Sequence, residues 1–301
     1  MIDSPTIEEA TGLSAPGLRF DRLGWTASAL PNTLSFIDHS KYLAELESNS
    51  NVSGVFAPPE LADRIRAFDR PVQLIECDDP RWAYHVLHNH VARRDYVRRP
   101  TVIAASAQVH PRAYVAENNV TIGERTVVAA NATILADVAV GDDCMIQAGV
   151  VLGSIGFEQK RTSRGLVSVV HDGRVEIGDR VEIGANCCVD KGFRDRPTVI
   201  ADDVRIDNLV HVAHSVRIGR GTFVTAGVIF AGSTETGEEA WLSINASIGP
   251  SLKLGDRSFV SMAAAVGRDV GEGEQVTGNL ALPHKTFLKI FKRQIREASK
   301  E

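Results

Sequence analysis

The stretch IDNLVHVAHSVRIG, residues 206–219, places an apolar side chain at every sixth position, at Ile206, Val212 and Ile218. The same step of six extends beyond this stretch in both directions, and Thr236 is its one member that is not apolar. The other members are Ile200, Val224, Phe230, Leu242, Ile248, Leu254, Val260 and Val266. A period of six matches neither the 3.6-residue period of a helix nor the two-residue alternation of a strand.

Two further runs with this period lie upstream, and one of them is displaced by one residue. They consist of Ile122, Val128, Ile134, Val140, Ile146 and Leu152, and of Ile103, Val109 and Val115. Short strands joined by tight turns satisfy the spacing, because each flat face then contributes one inward apolar residue and three faces complete a coil of about 18 residues. Glycine, asparagine and aspartate are expected to supply positive-φ corners. The sequence therefore predicts a mainly β fold, a hexapeptide-repeat parallel β-helix whose stacked coils bury one apolar column.

The repeat divides the chain into three predicted parts. Residues 1–98 lack it and are predicted to form a small α/β domain with a helical connector. Residues 99–280 are predicted to form the β-helix, and residues 281–301 a C-terminal amphipathic basic helix. The period is interrupted at residues 153–174 and 191–198, which are predicted to be loops that leave a corner of the β-helix and carry function. Insertions that the fold merely tolerates are the alternative for both.

Composition restricts the classes of function. The chain has 301 residues and a formal net charge of −5, which argues against a general nucleic-acid binder. No apolar run is long enough to span a membrane, and the acidic N-terminus does not look like a secretory signal. The four cysteines have neither a metal-type nor a disulfide-type spacing. A cytoplasmic, reducing compartment is therefore expected.

Several motifs occur in an order that is informative beyond the bare repeat. They are TLSFIDHSKYL, GSIGFE, GRVEIGDRVEIGANCCVDKG, IDNLVHVAHSVRIG and AGVIFAGS. In this order they resemble the UDP-3-O-acylglucosamine N-acyltransferases of lipid A assembly, over most of residues 30–290. The resemblance implies left-handed coiling, a homotrimer, and acyl transfer from a thioester of acyl carrier protein or coenzyme A to the amine of a nucleotide-linked amino sugar. It implies no metal and no further cofactor.

The resemblance also implies roles for residues of the site. His214 matches the family's catalytic histidine, and histidine suits general-base work near neutral pH. Gly232 lies one 18-residue coil further on, and its backbone N–H is implied to hold the oxyanion, while Asp207 is implied to orient the imidazole. A surface histidine, a corner glycine and a corner aspartate are the structural alternatives. Asn208 is expected at a corner and His211 at the edge of the substrate cleft.

Nucleotide recognition is implied for the N-terminal domain. The family stacks uracil between the aromatic residues of a motif that reads FIDHSKY here. Phe36 and Tyr42 are retained and suit base stacking, and packing of the domain is the alternative role for both. His39 and Ser40 replace the asparagine and proline of the family motif. Ser251 stands where the family usually has a second histidine that helps to place the substrate.

These departures leave a second function open, N-acylation of an amino sugar for O-antigen or another surface glycan. A zinc hydratase resembling γ-type carbonic anhydrase needs three histidines, and only His211 and His214 are candidates. The histidines at 85, 88 and 90 are expected on a solvated helix face, so no metal site is predicted. A noncatalytic nucleotide-sugar scaffold is a third possibility. The basic C-terminal helix suits an acidic acyl carrier protein or the phosphates of coenzyme A, and a plain solvated helix is the alternative.

Overall fold

The computed structural model describes residues 1–278 and 281–298, which form two units. The units are Met1–Arg98 with Phe157–Asp172, and Arg99–Gly156 with Gly173–Glu301. The segment predicted as the β-helix, residues 99–280, is thus interrupted by a part that belongs to the first unit. Residues 279 and 280 and residues 299–301, which include the predicted ends of the β-helix and of the C-terminal helix, lie outside the described residues.

The second unit confirms the predicted left-handed parallel β-helix. Among the described residues its three faces hold eight, nine and eight strands. The first face consists of Val102–Ile103, Val120–Ile122, Val138–Val140, Val175–Ile177, Thr198–Ile200, Arg217–Ile218, Glu235–Thr236 and Lys253–Leu254. The second consists of Gln108–Val109, Val127–Val128, Met145–Ile146, Glu182–Ile183, Arg205–Ile206, Phe223–Val224, Trp241–Leu242, Phe259–Val260 and Gln275–Val276. The third consists of Tyr114–Val115, Thr133–Ile134, Val151–Ile155, Cys188–Lys191, His211–Val212, Ile229–Phe230, Ser247–Ile248 and Ala265–Val266.

The inward apolar column is the core of this unit. Ile206, Val212 and Ile218 are 4%, 0% and 1% exposed, and every later member of the six-residue step is also buried. Thr236, the polar member, is buried as well, and its hydroxyl accepts a hydrogen bond from the Gly219 N–H at 2.9 Å. The hydroxyl is therefore satisfied inside the column, which removes most of the penalty of burying it.

The glycines that follow the inward residues have a different cause from the one predicted. Gly123 and Gly141 are not among the positive-φ residues, and the left-handed position lies two residues later, for example at Arg125. A Cβ on Gly123 would lie 2.5 Å from the carbonyl oxygen of Gly141, in the next coil. These glycines are therefore required by the close approach of stacked backbones, while arginine, serine and leucine also occupy left-handed corners, as at Leu209.

The first unit is an α/β domain, as predicted. Its parallel sheet contains the strands Arg22–Leu23, Thr33–Phe36, Val52–Ala57 and Gln73–Glu76, in this order. The other elements before residue 98 are the strands Ile2–Asp3 and Arg19–Phe20, the 3₁₀ turn Ser40–Tyr42, and the helices Ser4–Thr11, Leu43–Ser48, Pro59–Arg66 and Pro80–Arg94. Apolar clusters around Phe56 on one side and Val55 on the other bury both faces of the sheet.

The long insertion is an ordered part of the first unit and not an irregular loop. Its strands Gln159–Thr162 and Gly165–Ser168 pair as an antiparallel hairpin. Asn89, on the helix Pro80–Arg94, donates to the Ser168 carbonyl at 2.8 Å and accepts from the Val170 N–H at 2.7 Å. His88 on the same helix bonds the Val170 carbonyl at 2.8 Å. These buried bonds hold the hairpin against the helix.

The C-terminal helix extends from His284 to Ala298. Its aromatic residues Phe287 and Phe291 stack on each other with ring centroids 5.7 Å apart, and both remain about half exposed. Across the described residues, no helix combines the length and the apolar character that crossing a membrane requires.

The column makes a direct prediction about stability. Ile218 and Arg217 are neighbours on one strand, and they are buried and exposed respectively. Ile218→Ala removes buried volume and is expected to lower the free energy of unfolding by about 2–5 kcal/mol. The matched variant Arg217→Ala is expected to change it by less than about 0.5 kcal/mol. Urea unfolding followed by circular dichroism compares the two, and equal effects would contradict the inward phase of Ile218.

Candidate functional site

His214 lies at the corner between the third and first faces, which we call the insertion corner because both interruptions of the repeat lie there. Its carbonyl accepts from the Ser233 N–H of the next coil at 3.0 Å. The following residue, Ser215, is buried with φ +60°, and its N–H donates to the hydroxyl of Thr198 at 2.8 Å. The backbone that carries the imidazole is therefore fixed from two sides.

The shorter insertion, residues 191–197, provides one wall of this corner. Phe193 and Arg196 close it into a tight turn through two reciprocal backbone hydrogen bonds of 3.0 and 2.9 Å. The Phe193 ring contacts the His214 imidazole edge to face, with centroids 5.7 Å apart. An aromatic neighbour of this kind limits the rotamers that the imidazole can adopt.

Gly232 stacks directly on His214, as the 18-residue step predicts. A Cβ at Gly232 would lie 2.6 Å from Cε1 and 2.7 Å from Nε2 of His214. A side chain at this position would therefore displace the imidazole. Within the described part of the chain, the Gly232 N–H donates no backbone hydrogen bond. The corner thus presents an imidazole and a backbone donor side by side.

Ser251 belongs to the same corner, one coil beyond Gly232. Its N–H donates to the Gly232 carbonyl at 3.0 Å, and its side chain is exposed. Ser215, Ser233 and Ser251 form a column of left-handed residues with φ of 60°, 62° and 59°. A hydroxyl here can donate and accept hydrogen bonds, but it cannot serve as a base near neutral pH.

Asp207 is not beside His214 within one chain. It lies at the corner between the second and third faces, where its carboxylate accepts from the Asn208 N–H at 2.7 Å. Asn208 accepts from the Ala185 N–H of the preceding coil at 2.7 Å, the corner role that was expected. A face of about five residues at ~3.3 Å each separates the two corners by roughly 15 Å. The predicted Asp207–His214 pair does not form inside a single chain.

His211 points outward from the third face and not towards His214. Its Nε2 lies 3.8 Å from a carboxylate oxygen of Asp190, and Asp190 is 5% exposed. Cys188, Asp190 and His211 bring three potential ligand atoms within 4.8 Å of one another. The regular 18-residue step does not indicate this cluster. Residues 191–197 lengthen the coil, so Cys188 pairs with His211, 23 residues further on. Only the length of the insertion could have indicated the pairing.

The other cysteines do not support nucleophilic chemistry. Cys144 and Cys187 are buried in the apolar column, and none of the four cysteines is in a disulfide. Burial raises the pKa of the Cys187 thiol to about 11 and also raises that of Cys144. Both thiols remain protonated near neutral pH, when they are poor nucleophiles.

The N-terminal unit contains an aromatic cluster that sequence analysis recognised only in part. Phe36 contacts the rings of Trp25, Tyr84 and His85 with centroids 5.8, 4.9 and 5.5 Å apart, and among the described ring pairs it does not contact Tyr42. Trp25 and Tyr84 come from a loop and a helix with no periodic relation to Phe36. Long-range packing alone brings them together.

Tyr42 and His39 lie at the two ends of the 3₁₀ turn that follows the strand Thr33–Phe36. Tyr42 is 36% exposed, and the ammonium group of Lys41 lies 4.8 Å from the centre of its ring. The Nδ1 atom of His39 accepts from the Lys41 N–H at 3.0 Å and so caps the turn. His39 thus performs a capping role for which asparagine is also suited.

The three histidines of the helix Pro80–Arg94 do not converge on one point. His85 is 2% exposed, and its Nδ1 lies 2.7 Å from the Arg81 carbonyl, so the expectation of a solvated helix face is wrong for it. His90 lies 3.7 Å from a carboxylate oxygen of Glu9. Burial is the main cause that lowers the pKa of His85 from 6.5 to about 4.

Two models of hexapeptide families match the β-helix. The family described as bacterial transferase hexapeptide (six repeats) matches residues 119–154 and 197–232. The family described as hexapeptide repeat of succinyl-transferase matches residues 174–209. The matched segments contain His214 and Gly232, and they omit the long insertion.

Curated relatives carry the name UDP-3-O-acylglucosamine N-acyltransferase. One from Coxiella burnetii is 30% identical over 236 residues, which are 69% of this chain and 67% of the relative. Proteins of the same name from Caulobacter sp. and Caulobacter vibrioides are 38% and 44% identical. Each of these two matches covers 50% of this chain and 44% of the relative, so the chain spans less than half of their length.

Among solved structures, a UDP-N-acetylglucosamine acyltransferase from Campylobacter jejuni is similar with a TM-score of 0.52. The two chains are 23% identical, and the superposition covers 60% of this chain and 70% of that chain. At this identity the likeness concerns the fold, and it agrees with the left-handed β-helix described above.

The contact between Gly232 and His214 can be tested without an assay of activity. Gly232→Ala places a methyl group where the imidazole lies, and we expect the His214 ring to move. Gly267→Ala is a matched control, because its Cβ would meet no atom within 4 Å. The imidazole resonances of His214 in heteronuclear NMR spectra should shift in the first variant only. Unchanged resonances in Gly232→Ala would contradict the stacking.

The buried His85 predicts a loss of stability in acid. The unfolded chain binds this proton near pH 6.5 and the folded chain near pH 4. The contribution of the uncharged His85 ring to the free energy of unfolding is therefore fully present above about pH 6.5. It declines as pH falls towards 4, by on the order of 3 kcal/mol. His85→Leu should flatten this part of the profile, whereas the exposed control His110→Leu should not.

Urea unfolding at several pH values measures this dependence. Trp25 and Trp82 report on the first unit by fluorescence if the third tryptophan is removed by Trp241→Phe in all proteins compared. An unchanged acid slope in His85→Leu would exclude His85 as its cause.

Proposed function

Because the chain belongs to the family of UDP-3-O-acylglucosamine N-acyltransferases, we propose that it moves an acyl group from a thioester to the amine of a nucleotide-linked amino sugar. A step of lipid A assembly is the specific reaction that the relatives' name favours. The relative from Coxiella burnetii supports this proposal most broadly, since 69% of the chain takes part in that match.

The contact between His214 and Gly232 is the observation that carries the proposed chemistry. The amine nitrogen attacks the thioester carbonyl carbon, and His214 accepts the proton that the nitrogen loses. The carbonyl oxygen becomes an oxyanion, which the Gly232 N–H stabilises with a hydrogen bond. The carbon–sulfur bond then breaks, the thiolate leaves, and it takes the proton back from the imidazolium. The amide and the free thiol are the products.

We propose the N-terminal aromatic cluster as the site for the nucleotide base. The Phe36 ring is half-buried, and the Trp25 ring beside it is 40% exposed, so an aromatic surface is open to a ligand. Tyr42 provides a second ring on the neighbouring turn, with His39 beside it. Base stacking on aromatic rings accounts for these residue types.

The insertion corner offers further polar groups to the proposed acceptor. Ser251 offers a hydroxyl one coil beyond Gly232, and Asn208 and His211 are proposed as further polar contacts of the substrate. Ser251 and Asn208 provide hydrogen bonds and no base, and the His211 imidazole faces Asp190. His214 therefore stays the proposed general base.

The donor is proposed to be an acyl thioester of acyl carrier protein or coenzyme A. The C-terminal helix carries basic residues at Lys285, Lys289, Lys292, Arg293 and Arg296. Their positive charge complements either an acidic carrier protein or the phosphates of coenzyme A. No resident cofactor is needed for the steps above. We propose that the reaction takes place in the cytoplasm.

We further propose a homotrimer, because Asp207 and His214 can meet only if two copies contribute them. Roughly 15 Å separates their corners within one chain. A second copy that presents its Asp207 at the insertion corner would complete the dyad. The imidazole would then be oriented by the carboxylate, as in other Asp–His pairs.

A second candidate is the same chemistry on an amino sugar destined for O-antigen or another surface glycan. Ser251 and His39 favour it, since both change positions proposed to contact the acceptor and neither touches the His214–Gly232 pair. A zinc hydratase with His211 and His214 as joint ligands is disfavoured, because His211 faces Asp190 and does not converge with His214.

A matrix of acceptors and donors tests the proposal and separates its two candidates. UDP-linked and dTDP-linked amino sugars are each combined with acyl carrier protein and coenzyme A thioesters, and products are identified by mass spectrometry. Acylation of UDP-3-O-acylglucosamine would support the lipid A step, and acylation of other amino sugars alone the surface-glycan step. No N-acyl product with any pair would overturn the proposed function.

His214→Ala should lower kcat/KM by about 10²- to 10⁴-fold, because the base is lost while the β-helix is kept. His110→Ala, a histidine at a corner near the first coils, is the matched control and should keep the full rate. Steady-state kinetics with the best pair from the matrix provides the measurement. Full activity of His214→Ala would refute the assignment of the base.

A further inference from the structure

A second cluster of reactive side chains lies on the third face and is distinct from the His214–Gly232 pair. Cys188 and Asp190 are two residues apart on the strand Cys188–Lys191, so their side chains leave the same side of the sheet. His211 is the parallel partner of Cys188 on the next coil. Two side chains from one strand and one from its neighbour therefore converge.

The distances between the three side chains are slightly longer than those between the ligands of a bound tetrahedral metal. The His211 Nε2 lies 3.8 Å from Asp190 Oδ2, and the Cys188 Sγ lies 3.7 Å from Asp190 Oδ1. Ligands of a tetrahedral zinc ion are about 3.3 Å apart for N and O and about 3.5 Å apart for S and O, given the usual bond lengths. All three ligand atoms lie within 4.8 Å of one another. Small rotations of these side chains would shorten the distances to the values around a bound zinc ion.

Asp190 provides an independent observation that points to a cation. Its side chain is 7% exposed, and within the described ranges its carboxylate accepts a hydrogen bond from the Cys188 thiol alone, at 3.7 Å, besides the contact with His211. Among the described residues, no lysine or arginine nitrogen lies within 4 Å of it. A buried carboxylate without a close donor or cation is strongly destabilising, and such groups are normally paired or bound to metals.

We propose that Cys188, Asp190 and His211 form a binding site for one zinc ion per chain. The donors are one sulfur, one oxygen and one imidazole nitrogen, a set that suits zinc. Magnesium and calcium prefer oxygen ligands, so the set does not suit them. The fourth position is left for water, because the His211 side chain is 43% exposed and opens the site to solvent.

The state of the thiol agrees with this site. Burial, and next the negative charge of Asp190, raises the pKa of Cys188. A zinc ion reverses the effect of that charge and takes the sulfur as thiolate, so binding releases a proton. Affinity should therefore increase as pH rises.

The metal would connect two successive coils at the base of the shorter insertion. The Asp190 carbonyl accepts from the Thr198 hydroxyl at 2.7 Å, and that hydroxyl accepts from the Ser215 N–H at 2.8 Å. Ser215 directly follows His214. The site would thus stabilise the backbone next to the insertion corner, and it does not depend on the function proposed above.

Zinc binding to the full-length, tag-free protein tests the site. The protein is stripped with a chelator, titrated with zinc chloride by calorimetry, and analysed for bound metal after dialysis. We expect one zinc per chain, a rise in Tm, and a sulfur-to-metal charge-transfer band when cobalt replaces zinc. Cys188→Ser, Asp190→Asn and His211→Gln should each weaken binding at least tenfold.

Matched controls separate this site from other cysteines and histidines. Cys77→Ser and His110→Gln remove donors outside the cluster and should leave the affinity unchanged. Asp190→Asn keeps the shape of the side chain and removes the buried charge, so it should fold without metal. Absence of stoichiometric zinc in the wild-type protein would overturn the proposal. Zinc retained by the variant that combines Cys188→Ser, Asp190→Asn and His211→Gln would also overturn it.

Discussion

The apolar column of the β-helix is the interaction on which the rest of the structure depends. Each coil contributes three inward residues, such as Val212, Ile218 and Val224, and buries them only because another coil lies above and below. Parallel hydrogen bonds fix the stack at about 4.8 Å per coil. Since these inward residues secure the fold, the corners are free to carry insertions and chemistry.

One corner uses this freedom more than the others. Both interruptions of the repeat leave from it, and His214, Gly232 and Ser251 lie there in successive coils. The site is therefore built from residues 18 or 19 positions apart in sequence that are neighbours in space. The same geometry prevents Asp207 from reaching His214 in one chain, because a full face lies between their corners.

The six-residue period made the features that depend on it predictable from the sequence. Few of the other features were predictable. The inward column and the stacking of Gly232 on His214 follow from counting residues. The pairing of Cys188 with His211 does not, because residues 191–197 change the length of that coil. Positive-φ corners were expected of glycine, asparagine and aspartate and occur at Asn131, Asp137 and Gly149, whereas Gly123 is required by the close approach of stacked backbones, which the sequence does not distinguish from a positive φ. The contacts of Phe36 with Trp25 and Tyr84 depend on long-range packing in a domain without a repeat. The hairpin at residues 157–172 likewise showed no period that assigned it to the first unit.

Chemistry and acceptor choice are therefore separable in this fold. The His214 imidazole is held by the Phe193 ring, by Gly232 and by its own anchored backbone, and none of these contacts involves Ser251. A substitution at Ser251 changes an exposed hydrogen-bonding group and leaves His214 and Gly232 where they are. In the proposed mechanism, the acceptor can thus change by replacement of exposed corner residues, whereas the proposed chemistry is tied to the stacking that keeps the column buried. The proposed site therefore constrains the reaction type more closely than the sugar.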